Sequence, residues 1–251
     1  VGFGQYEAEK TLDLNKRYVA PGFIDAHVHI ESAMTCISEF ARAVVVHGTT
    51  TVAADPHEIA NVLGTEGIAY MLQSAQEQPI NIYFTLPSCV PATDMETAGA
   101  RLNAEDLAPF LNHEKIVALA EMMNYPGVIF GDPDVLAKIS AAKRHRKPVD
   151  GHAPGLEGQA LNAYIAAGVQ SDHECTTAQE AREKLAGPAA AQESGSGDAP
   201  AEIWYRGAPN RRHTLTPSLF RHKNGRRCER QLYLDFVEHR ASHHRHGAVL
   251  D

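Results

Sequence analysis

The residues best suited to chemistry in this chain are histidines and carboxylates at the ends of apolar runs. "GFIDAHVHIES", Gly22 to Ser32, carries His27 and His29 one residue apart. On a strand, residues i and i+2 point to the same side, so two such imidazoles converge and can hold one divalent cation. Taken alone, that pair is equally well read as two hydrogen-bonded polar histidines. "DGHAPG" then sets His152 just before a turn that a β-ladder cannot continue, and "SDHE" ends a further run with His173. "ALAEMM" places Glu121 inside an apolar strand, where a carboxylate without a partner is expensive. Each residue has an ordinary explanation of its own, but a shared metal centre explains all five together. A second group, Asp55, His57 and Glu58 in "ADPHE", together with Glu31 in "HIES", offers acid–base chemistry close by. "DPHE" is also a plain helix start, with Asp55 as N-cap, Pro56 at N1 and Glu58 in the first turn. The two readings are compatible.

Such residues need strands to aim them. From Tyr18 to about Leu185 the chain alternates short β-rich runs with helical patterns, and six strand-then-helix units are countable. "GFIDAHVH" precedes an amphipathic stretch from Met34 to Val46, and "GTTTVAADP" precedes a helix expected from about Glu58 to Gln76. "INIYFTLPSCV", "KIVALAEMM", "KPVDGHAPG" and "VQSDHECT" each lead into a further helix, the last with Thr177 and Glu180 spaced as a capping box. This alternation predicts an α/β fold with a parallel sheet flanked by helices. Two more units would close a (β/α)8 barrel, whose sites gather at the C-terminal strand ends, where these polar motifs fall. An open doubly wound sheet is the second choice, and its Gly-rich phosphate turn is absent.

Composition narrows the partners. Residues 1–185 hold 24 acidic against 13 basic side chains, a balance unsuited to binding nucleic acid. No run approaches the roughly 18 apolar residues that span a membrane, and no cationic-then-apolar leader is visible. Cys36, Cys89, Cys175 and Cys228 lie far apart without a CxxC pair, which suits a reducing cytoplasm better than a disulfide framework.

"PGFIDAHVHIES" resembles the first-strand motif of the amidohydrolase superfamily. With "ADPHEIANVLG", "EMMNYPGV", "DGHAPGL" and "SDHE", the body from about residue 6 to 185 is similar to the adenine deaminase family within it. That resemblance implies a metal-dependent amidohydrolase barrel, hydrolysis of adenine to hypoxanthine and ammonia, and two divalent cations, manganese or iron, with zinc a third candidate. It further implies that His27 and His29 bind one cation, that His152 and His173 bind the other, and that Glu121 bridges them. Divalent metals depress the pKa of bound water, and N1 of the purine must gain a proton, for which Asp55, His57, Glu58 and Glu31 are the candidate carriers alongside Glu121. The substrate implied is a free base, since the H-x-E and P-C-x-x-C of cytidine-type deaminases are absent. The family tends to self-associate, so a homo-oligomer is expected.

Three segments follow from this reading. Residues 1–17 resemble a remnant of the family's small N-terminal β-domain with its linker, and a start at Val1 in mid-pattern suggests a missing upstream piece. Residues 18–185 form an incomplete barrel of about six units. In residues 186–251 the periodicity stops, and arginine outnumbers lysine 9 to 1 where the body has 6 to 7. Only 10 of those 66 residues are Leu, Ile, Val, Phe or Met, too few for a core, so an unstructured or out-of-frame tail is expected. The S/T-D-D pattern that the family carries at its eighth strand does not occur after Leu185, which implies a truncated product of weak or no activity. The competing readings are another amidohydrolase, such as a cyclic-amide hydrolase or an amino-sugar deacetylase, and an inactive metal-binding remnant. Many of those hydrolases carry a carboxylated lysine on the fourth strand, where this chain has Glu121.

Overall fold

A parallel sheet grows strand by strand along the chain. The computed structural model describes residues 20–186 continuously, with Glu7, Glu9 and Leu12 before them and the short strands Gln192–Ser194, Glu202–Trp204, Ser218–Arg221 and Arg227–Arg230 after them. Apart from those residues and strands, and Ala186 at the end of the last helix, the readings of residues 1–17 and 186–251 lie outside the described residues. Strands β1 (Phe23–Val28), β2 (Thr49–Ala54), β3 (Asn81–Leu86), β4 (Ile116–Met122) and β5 (Val149–Gly151) pair in parallel in that order. β6 (Ser171–Asp172) lies beside β5, where Gln170 N–H donates to the Val149 carbonyl at 2.9 Å. The other edge of β6 pairs antiparallel with Glu202–Trp204, a departure from the all-parallel run. The whole is a curled half-barrel, in keeping with an incomplete (β/α) amidohydrolase barrel.

Helices return the chain between strands: α1 (Ile37–Val45), α2 (His57–Leu63), α3 (Thr65–Ser74), α4 (Ala104–Leu107) with a 3-10 turn after it, α5 (Tyr125–Phe130), α6 (Pro133–Arg144), α7 (Gly158–Ala167) and α8 (Ala178–Ala186). The long helix expected from Glu58 to Gln76 is two helices, because Gly64 adopts φ 62°, ψ −137° and its N–H closes on the Ala60 carbonyl at 2.7 Å. α6 starts as its sequence requires, with the Asp132 carboxylate accepting from the N–H groups of Asp134 and Val135 at 2.9 and 3.0 Å. No helix among the described residues is long and apolar enough to cross a membrane.

The core explains why the strand ends hold still. All seven residues of β4 are buried, as a strand covered on both faces must be, and its Ile116, Leu119 and Met122 share the core with Phe84 and Leu86 of β3. Tyr164 of α7 is fully buried, and its hydroxyl donates to the Met122 carbonyl at 2.8 Å while accepting from His152 N–H at 3.0 Å. One phenol therefore ties the end of β4 to the turn after β5. Gly151 permits the next approach: a Cβ there would collide with the Ser171 carbonyl and the Val169 side chain.

Candidate metal centre

Five imidazoles surround one carboxylate. Glu121, 3% exposed at the end of β4, points its Oε2 at His152 Nδ1 (2.7 Å) and His173 Nε2 (3.1 Å). Its Oε1 faces His29 Nε2 at 3.3 Å and His57 Nδ1 at 3.6 Å. His27 completes the ring: its Nε2 lies 3.0 Å from His29 Nε2, and its imidazole stacks on that of His173 with centroids 3.8 Å apart. The strand-end histidines and the buried glutamate, spread over 147 residues of sequence from His27 to His173, thus meet in one place.

Partners behind the rings set which nitrogen faces inward. His29 Nδ1 donates to the Asp55 carbonyl at 3.1 Å, a group that only accepts, so the hydrogen-bond pattern leaves Nε2 as the coordinating atom. His27 Nδ1 meets the Asp150 carboxylate at 3.3 Å, and Asp150 is in turn fixed by the Ser171 hydroxyl and by Gly151 N–H. Asp150 was not apparent as a site residue from the sequence. The available signal is the one that marked Glu121, a carboxylate in a buried strand, here two residues before His152.

The acid–base candidates divide. Asp55, 1% exposed, does not cap α2, whose N-cap is Pro56 and which has no side-chain cap. Its Oδ2 instead takes the His57 ring at Nδ1, 2.9 Å away, and its Oδ1 is buried without a hydrogen-bond partner. His57 and Asp55 therefore stand beside His29 and Glu121. Glu31 and Glu58 bond elsewhere: Glu31 Oε1 accepts from Ile59 N–H at 3.2 Å, and Glu58 accepts from the Ser32 hydroxyl.

The electrostatics follow from crowding cations-in-waiting around an anion. Burial acts to raise the Glu121 pKa, but hydrogen bonds from His152, His173 and His29 hold it well below the usual carboxylate range. Burial likewise acts to lower His29, yet Glu121 and Asp55 push it up to about 9. Glu121 raises His152 and His173 against their burial, and Asp55 does the same for His57. Ring nitrogens and carboxylate oxygens lie close enough to form three candidate cation-binding groups, namely His29, Asp55, His57 and Glu121; His27, Glu121 and His173; and His152, His173 and Glu174. Two inward Nε2 atoms only 3.0 Å apart, beside a carboxylate with an oxygen on each side, fit divalent cations that take nitrogen and oxygen ligands.

Known proteins align with this picture. The Amidohydrolase family model matches residues 18–200. Over 180 residues the chain is 63% identical to the "Adenine deaminase" of Desulfatibacillum aliphaticivorans, covering 72% of this chain and 32% of that protein. It is 58% identical over 184 residues to "Adenine deaminase 2" of Carboxydothermus hydrogenoformans, covering 73% and 32%. With the "Adenine deaminase" of Methanoculleus marisnigri it shares 58% identity over 185 residues, covering 74% and 35%. The chain spans about a third of the length of these curated relatives.

Proposed function

The chain belongs to the amidohydrolase family, and we propose that its strand-end cluster serves the hydrolytic deamination of adenine to hypoxanthine and ammonia. The observation that carries the reading is Glu121, whose two oxygens face two different pairs of histidines from a buried strand. The relatives named for this activity support the choice of substrate. A glutamate at this strand end, in place of a carboxylated lysine, favours it over the cyclic-amide hydrolases and amino-sugar deacetylases.

In this reading His27 and His29 would hold one cation, His152 and His173 would hold the other, and Glu121 would offer each an oxygen. When bound, divalent cations supply the Lewis acidity that makes water a nucleophile at neutral pH. Water adds at C6 of the purine; one of its protons goes to the amine, which departs as ammonia, and the other to N1. The chain must carry that proton. His57 is the carrier best supported: with its Nδ1–H given to Asp55 Oδ2, its Nε2 is the atom that takes and returns a proton. Glu121 stays ionised throughout, because the surrounding imidazoles stabilise its anion. Glu31 and Glu58 act at one remove, on the turn that presents His57, through Ile59 N–H and Ser32. Manganese or iron in a cytoplasmic, self-associating enzyme completes the proposal, with zinc the third metal.

The full chain, loaded with manganese and assayed for ammonia release, tests it against a panel of adenine, hydantoins and acetylated amino sugars. Turnover of adenine alone is expected, weak because the S/T-D-D pattern does not occur after Leu185. Turnover of a hydantoin or an acetylated sugar without adenine overturns the substrate, and bound metal without turnover of any of them overturns the activity.

A further inference from the structure

Behind the turns that carry His152 and His173 lies a second charged cluster that the proposed reaction does not use. Lys184 of α8 is fully buried, as is Asp172, and Glu180 is 2% exposed. An ammonium has three N–H donors, and all three are engaged: the Ala153 carbonyl at 2.7 Å, Asp172 Oδ2 at 2.5 Å and Glu180 Oε1 at 2.6 Å. Burial acts to depress the Lys184 pKa, but Asp172 and Glu180 more than offset it, so the side chain is cationic. Asp172, Cys175 and Glu180 cluster closely enough to suggest a cation site, and Lys184 is the cation that fills it.

The cluster reaches backbone on both sides of the metal centre. Glu180 Oε1 also accepts from Gly155 N–H at 2.7 Å, and its Oε2 accepts from the N–H and hydroxyl of Thr176 at 2.8 and 3.0 Å. Asp172 Oδ1 accepts from Glu174 N–H at 2.9 Å. Residues 153 and 155 follow His152 directly, and residues 172, 174 and 176 bracket His173. A buried ion pair is weak support for stability, since well-packed apolar side chains of similar volume often do as well. What this one supplies is a fixed relation between two turns.

We propose that Lys184 is a positioning residue for the metal centre, holding the His152 and His173 turns in register so that both imidazoles face Glu121 Oε2. The role rests on the metal-binding reading above and extends it to α8. Outer partners of metal ligands typically change affinity by about 10–100-fold when removed. The test uses the full 251-residue chain, stripped with a chelator and titrated with manganese, as wild type, K184M, E180Q and H173A, with folding followed by circular dichroism. Wild type is expected to bind two equivalents. K184M should keep one and bind the other about 10–100-fold more weakly, at the same site that H173A abolishes. E180Q, which keeps the shape of the cluster and removes one charge, should show a smaller loss at that same site. It decides the matter if K184M does not fold. Wild-type affinity at both sites in a folded K184M, or in E180Q where K184M is unfolded, overturns the positioning role and leaves the metal centre standing. A wild-type chain that binds no manganese overturns the metal centre itself, and the positioning role with it.

Discussion

Glu121 and Asp150 are both carboxylates buried in apolar strands, yet they do different work on the same set of imidazoles. Glu121 faces four rings from inside the cluster, whereas Asp150 grips one ring, His27, from behind. D150N keeps the shape and removes the charge that orients His27, so manganese affinity should fall about 10–100-fold with little change in fold, as read by metal titration beside a thermal melt. Protonation gives a second prediction. The His29 pKa is raised from 6.5 to about 9, so in the metal-stripped chain its stabilising contribution is complete below pH 6.5 and drains away as pH rises through about 9. A cation must displace that proton, so manganese affinity should climb with pH over the same window, with proton release visible as a buffer-dependent heat of binding. Affinity that is flat with pH contradicts this.

Among the elements, β5, β6 and α8 are joined through buried polar contacts, Ser171 to Asp150 and Lys184 to Asp172. G151A places a methyl group against the Ser171 carbonyl, so β5 and β6 must part. Overpacking of this kind costs about 1–3 kcal/mol or more, and a lower denaturant midpoint together with weaker metal binding should reveal it. Acid should loosen α8 in a defined range. The Glu180 pKa is lowered from 4.5 to about 2 despite its burial, chiefly by Lys184 and the N–H groups of Thr176 and Gly155. Its contribution is therefore present above pH 4.5 and lost as pH falls toward 2, and hydrogen exchange in α8 should accelerate across that interval. E180Q should remove the pH dependence. The expected capping box is half met: Glu180 N–H donates to the Thr177 hydroxyl at 3.1 Å, but the Glu180 carboxylate turns to Thr176, Gly155 and Lys184 instead of closing the box.

For the molecule as a whole, the sequence was most legible where a polar residue interrupts an apolar strand. His27, Glu121, His152 and His173 each announce themselves that way, and the alternation of strand and helix gives the parallel order that aims them. The break at Gly64 was hidden by continuous helical periodicity on both sides of it. Lys184 was hidden for a different reason: at the end of an amphipathic helix it looks like any solvated cation, and its full burial comes from tertiary packing. Because the proposed ligands come from four strand ends, metal binding should stabilise the whole described fold. Manganese at about 100 times its dissociation constant should add about 2.7 kcal/mol, measured as a shift in denaturant midpoint that H173A diminishes.

The strand order has one more consequence. β1 and β5 stand at opposite ends of their sheet, yet His27 on β1 reaches Asp150 on β5 and meets the His173 ring beyond β6 at a tilt of 31°. Those contacts are a chord drawn across an arc. Remove the chord, as H27A does, and the arc is free to open, so the radius of gyration in solution should grow even where each helix keeps its own structure. The side chains proposed as ligands would then also set the curvature of the sheet that presents them.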